Sequence, residues 1–214
     1  MLSRIFAARL TLGLALALSL GLAACTSVTT EVDALSAIPA DLTPTNAHVV
    51  PGPGMDAGSL GWQQGAEVLA GVLLGKGVTP VAARSGARLV TRFGYRIDDG
   101  QTVTSQYMVP ERGIIGYQVV NRPGPNGGQI AERVPVWGTI GYDYRTRIDT
   151  IYTAEVTISM TDSRSGKQVF EGRGVYRGGC SSFAPLAAPM IGAVLSKFPA
   201  GRQGPVTIKT ENGC

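Results

Sequence analysis

Histidine occurs once in the 214 residues and cysteine three times. A single histidine, His48, excludes a multi-histidine metal centre, and three cysteines are too few for a disulfide-built miniprotein. Charged residues make up only 16% of the chain and aromatics 7%. Past the first twenty-five residues no second long apolar run appears, which excludes a polytopic helical membrane protein. No segment repeats at a fixed period. What is abundant is glycine, at 29, and proline, at 13. The length fits one domain, with or without a tail, and suffices to bury a real core. The net charge of +4 would point to an anionic partner if it belonged to the working protein.

Much of it does not. Arg4 and Arg9 flank an almost unbroken Leu/Ala run from Leu10 to Leu22, and the small residues Ala23 and Ala24 lead to Cys25. About thirteen apolar residues with a basic start and a small-residue finish form a secretory signal, too short to span a bilayer comfortably. Leu22-Ala23-Ala24-Cys25 resembles the lipobox of bacterial lipoproteins. That resemblance implies diacylglycerylation of the Cys25 thiol, cleavage of residues 1–24, and palmitate-type acylation of the new amine. Several chains on one residue give stable anchoring, since each buried methylene contributes about 0.8 kcal/mol. Thr26 rather than Asp follows the cysteine, a pattern of outer-membrane cargo facing the periplasm. Without residues 1–24 the chain keeps seventeen basic against fifteen acidic residues, and the footprint expected of a nucleic-acid binder is gone.

Residues 25–50 are rich in Ser, Thr and Pro and read as a lipidated N-terminus with a flexible tether. A single domain is expected over 51–214. Trp62, Ala66, Leu69 and Leu73 fall on one face of a helix from about Asp56 to Leu74, stopped by Gly75-Lys76-Gly77. The same segment superficially suggests a phosphate-binding loop, but its glycine spacing is one short and no Ser/Thr follows the lysine. Residues 89–97 alternate as a strand; Asp98-Asp99-Gly100 turns the chain, and Gln101–Val109 is expected to return as its hairpin partner. Residues 110–146, dense in glycine, read as an irregular insertion. Strands are expected over 151–160, 168–177 and 205–209, and a second helix through Leu186, Met190, Ile191, Val194 and Leu195, with Pro189 in its first turns and Phe198-Pro199 as its stop. The predicted fold class is α+β: an antiparallel β-sheet with two main helices packed on one face.

Tyr152 to Asp162, followed by Ser165-Gly166, Phe170 and Gly172 and by an Ala-rich helix ending in Lys197-Phe198-Pro199, resembles a widespread family of envelope lipoproteins with a domain of unknown function. The likeness spans roughly 56–200 and is firm over 148–200. Phe170 stands where that family more often has Trp. The resemblance implies an α+β envelope domain and carries over no catalytic residue.

Four groups remain as site candidates. Cys180 and Cys214 form an even pair once Cys25 is lipidated, and a bond between them would close a loop of about 34 residues, with about 3–4 kcal/mol of stabilisation on chain-entropy grounds. The rivals are two buried thiols, or Cys180 as a nucleophile with His48 as its base. Arg88, Arg92 and Arg96 on one strand face, with Arg173 and Arg177 on another, could meet phosphate-rich lipid or cell-wall polymer; alternatively they are a solvated face answered by Glu155 and Glu171. Tyr117, Trp137, Tyr142 and Tyr144 could stack on sugar rings, or belong to glycine-rich hairpins covering a sheet edge. Asp98/Asp99 and Asp143/Asp149 lack the spacing of paired acid–base carboxylates. No cofactor or metal is expected. The leading function is a non-enzymatic, membrane-anchored lipoprotein that binds an envelope protein, lipid or cell-wall partner. The next is an accessory subunit of a lipid or lipopolysaccharide transport machine, and the third an envelope hydrolase using Cys180, Asp143 or Asp149.

Overall fold

The computed structural model describes residues 26–39, 42, 45–125 and 127–210. The signal segment, Cys25 and Cys214 lie outside them. Ten elements follow one another: β1 (Thr26–Ser36), β2 (Thr45–Pro51), α1 (Leu60–Leu74), β3 (Val78–Pro80), β4 (Leu89–Ile97), β5 (Gln101–Pro123), β6 (Gln129–Asp162), β7 (Gln168–Gly178), α2 (Ala184–Val194) and β8 (Arg202–Thr210). They divide into two units, one of residues 1–100 and 151–214, the other of Gln101–Thr150.

In the first unit the strands lie in the order β3-β2-β4-β6-β7-β1-β8. β1 occupies the stretch read as a tether. Val28, Thr30, Val32 and Ala34 are buried while Ser27, Thr29, Glu31 and Asp33 are exposed, so a period of two runs through residues whose polarity disguises it. β1 pairs antiparallel with β7 on one side and β8 on the other. β2 runs parallel to both β3 and β4, the arrangement that a helical crossover such as α1 permits. β4 pairs antiparallel with the C-terminal part of β6, from Leu89 opposite Asp162 to Ile97 opposite Ala154. Gln101–Val109 is therefore not the partner of β4. Asp98-Asp99-Gly100 is thus not a hairpin turn; Asp98 Oδ1 accepts from Gly100 N at 3.1 Å and Thr153 N at 2.8 Å where β4 ends. Its partner strand is supplied from 154–162 instead, a choice that local alternation cannot make because both segments alternate.

α1 begins at Leu60, because Asp56 is held in a turn by accepting from Gly58 N at 2.9 Å. Its buried face is Trp62, Gly65, Leu69 and Leu73, and the Trp62 indole N–H donates to the Phe93 carbonyl at 3.0 Å. α2 is buried on nearly all sides, with Leu186, Met190, Ile191 and Val194 inside, and Pro189 lies within it rather than in the first turn. Tyr95 stacks on Phe183 with ring centroids 4.1 Å apart.

The expected α+β class, an antiparallel sheet with two helices on one face, does not hold. Strands account for 59% of the described residues against 17% for helix, and the eight-stranded sheet is mixed. Two features of the chain cause the difference. The parallel β2 puts a strand where a flexible tether was expected, and the glycine-rich stretch read as irregular is two long strands.

Those strands make the second unit. β5 covers 23 residues and pairs with β6, which covers 34. Between them Gly124 N donates to Gly128 O at 2.6 Å, and Gly127 takes φ +78°, a left-handed conformation that glycine adopts freely. No residue of this unit is buried among those described.

Candidate interaction surfaces

The arginines proposed from the sequence are mostly engaged with carboxylates. Arg88, just before β4, places Nε 2.7 Å and Nη2 3.3 Å from the two oxygens of Asp162. Asp162 also accepts from Ser165 Oγ at 2.7 Å and Arg164 N at 3.1 Å. The Arg88 guanidinium and these donors hold its carboxyl well below the usual range. Arg96 and Arg173 converge on Glu155. Arg96 donates to Oε2 at 2.6 and 3.0 Å, and Arg173 donates to both oxygens at 2.8 and 2.9 Å. The bonds from Arg173 first, and those from Arg96 after them, lower the Glu155 pKa to about 2 against the opposing cost of burial. Glu171 instead accepts from Gln168 at 2.9 Å. Arg92 has no ion pair among the described residues; with Arg84 and Ser163 it lines an open cavity of about 460 Å³. Of the carboxylates that meet these arginines, Glu155 was named as a partner from the sequence and Asp162 was not.

The aromatic candidates lie in the second unit and do not converge. Tyr142 and Tyr144, two residues apart on β6, share a face by alternation; Trp137 is on the opposite one. Tyr117 carries the Arg133 guanidinium 5.3 Å from its ring centroid. A single stacking platform is not formed. Thirteen of the sixteen exposed large hydrophobic side chains among the described residues nevertheless belong to this unit, Val119, Ile140 and Ile148 among them. The aliphatic members were missed from the sequence, although the even-numbered residues from Ile130 to Ile148 carry a period of two that would have found Ile130, Ile140 and Ile148.

Possible catalytic groups are each occupied. His48 Nδ1 lies 3.1 Å from the Val81 carbonyl. Cys180 is buried, and the Tyr176 hydroxyl donates to its sulfur at 3.4 Å. Asp143 pairs with Arg145 at 3.3 Å and Asp149 with Arg147 at 2.7 Å. Among the described residues no three His, Cys, Asp or Glu side chains are grouped to hold a metal ion, and no helix is long and apolar enough to cross a membrane.

Neither a family model nor a curated protein matches the chain. Among solved structures it is similar to a PDZ domain protein from Parabacteroides distasonis, at 10% identity and a TM-score of 0.46; 88% of this chain is covered, and the chain spans 40% of that protein's length. It is also similar to two PelC dodecamer structures from Paraburkholderia phytofirmans, one of a point variant, both at 16% identity, with TM-scores of 0.43 and 0.41, covering 81% of this chain and 99% of that one.

Proposed function

We propose that this chain is a lipid-anchored envelope protein, attached through Cys25 to the outer membrane and facing the periplasm, that acts by binding rather than by chemistry. The anchor is supported by Leu22-Ala23-Ala24-Cys25 at the end of an apolar signal. The binding role is carried by one observation: Gln101–Thr150 holds its apolar side chains in the open on a long two-stranded ribbon. Large exposed apolar patches mark surfaces that meet a membrane or another protein. The ion pairs of Asp143, Asp149 and Glu155 support the same reading, since each gives a carboxylate a structural task.

The anchor is tested by feeding cells labelled palmitate. Label is expected in the wild-type chain and absent after Cys25→Ala; label that survives the substitution defeats the proposal.

A further inference from the structure

We infer that the hairpin of Gln101–Thr150 is a membrane-inserting element, and that several copies of this chain combine their hairpins into one transmembrane β-barrel. The inference rests on the envelope reading above and names what the exposed ribbon meets: acyl chains on its apolar face, and neighbouring copies along its edges.

The first argument is the pattern on β6. Val134, Val136, Gly138, Ile140, Tyr142 and Tyr144 occupy six successive positions of one face, without a charge. The other face of the same stretch reads Arg133, Pro135, Trp137, Thr139, Gly141, Asp143 and Arg145. Val134 to Tyr144 spans eleven residues, and a tilted strand needs about 9–11 to cross the hydrocarbon core. One face uncharged, one face charged and an aromatic pair at one end are the features of a lipid-facing strand with a wet lumen behind it.

β5 completes that face. A Cβ placed on Gly113 would meet Ile140 Cδ1 at 2.5 Å, and one on Gly138 would meet Ile115 Cδ1 at 2.7 Å. Each isoleucine thus lies over the glycine of the opposite strand, which puts Gly113 and Ile115 on the face of Gly138 and Ile140. Glu111 places its carboxylate by Gly141, a position of the charged face, at the Tyr142 end of the band.

The second argument concerns the tip, which must cross the bilayer. Gly124, Pro125, Gly127 and Gly128 are small and uncharged, and the nearest charges, Arg122 and Glu132, neutralise each other at 3.1 Å.

The third is closure. Among the described residues β5 pairs only with β6, so one edge of β5 and the matching edge of β6 in this unit present backbone groups that no described strand pairs. In hydrocarbon each such group costs several kcal/mol, so strands span membranes only as closed barrels. One hairpin cannot close on itself. The described residues supply one such hairpin, and the remaining strands are those of further copies. A water-soluble protein partner would not require an uncharged band of this length together with a neutral tip.

The test uses the full-length chain in intact outer membranes, with Val136→Cys and Thr139→Cys as single probes for a membrane-impermeant maleimide. Thr139→Cys is expected to label and Val136→Cys to label more than about tenfold more slowly until detergent is added. In vesicles of phosphatidylethanolamine and phosphatidylglycerol the purified chain is expected to give stepwise conductance, lost with Ile140→Asp and kept with Thr139→Asp. Ile140 is exposed, so its substitution leaves the first unit's core intact. Equal labelling at both positions, or conductance indifferent to Ile140→Asp, overturns the barrel. Palmitate on Cys25 with equal labelling would remove the barrel and keep the anchor; protected Val136→Cys without palmitate would do the reverse.

Discussion

Glu155 stands between Arg96 and Arg173, and its carboxyl is held at about 2 against an ordinary value of 4.5. A carboxyl whose pKa falls on folding contributes stability that is fully present above its unfolded pKa and disappears as pH drops through the folded one. The window is therefore pH 4.5 down to 2. Glu155→Gln is expected to lower Tm at neutral pH, and the gap to wild type is expected to close across that window. A gap that persists unchanged at pH 2 would show that the variant loses packing rather than charge. Both arginines are more than half exposed, so the gap should also narrow with added salt. At this scale the sequence was informative about position: Glu155 was offered as an answering charge for the arginine face, and helical spacing found Trp62, Leu69 and Leu73. It placed Asp162 at a turn but did not pair it with Arg88, a bond that joins residues seventy-four apart.

β7 and α2 touch at two glycines. A Cβ on Gly174 would lie 2.8 Å from Val194 Cγ2, 3.0 Å from Thr30 Cγ2 and 3.1 Å from Val156 Cγ1, and one on Gly172 would lie 2.5 Å from Val194 Cγ1. Glycine inside a strand ordinarily costs stability relative to alanine. Here three neighbours from three elements close the space, so the sign reverses. Gly174→Ala is expected to destabilise by about 1–3 kcal/mol, read as a lower urea midpoint with unchanged slope; a variant as stable as wild type would mean that the helix can move. The same residue type explains the largest misreading of an element. Glycines at 113 and 138 suggested loop, yet they are the hollows that receive Ile140 and Ile115. A glycine's neighbour across a sheet is absent from the local sequence, and so is the reason for the glycine.

For the whole molecule, alternation recovered most strands of the first unit but not their order. The parallel placement of β2 depends on contacts formed after α1, and the pairing of β4 with β6 depends on partners fifty-seven to seventy-three residues further on. The fold class failed on those long-range choices, while both helices were found because their apolar spacing is local. One whole-chain expectation from the sequence concerns Cys180 and Cys214. Their bond would tie the C-terminus to the segment before α2, so mature, unreduced protein is expected to show no titratable thiol, and reduction is expected to cost about 3–4 kcal/mol. Two titratable thiols would refute the pairing.

β1 starts at Thr26, which pairs with Thr210 at the head of a ladder that continues to Ala34, while Glu31 to Ser36 pair with β7. A lipid on Cys25 would thus be joined to an interior strand with a single residue of slack, a reach of about 3.5 Å. Force applied along β1 loads both ladders in shear, so their hydrogen bonds resist together instead of peeling one after another. Such an attachment transmits mechanical load from the bilayer straight into the sheet.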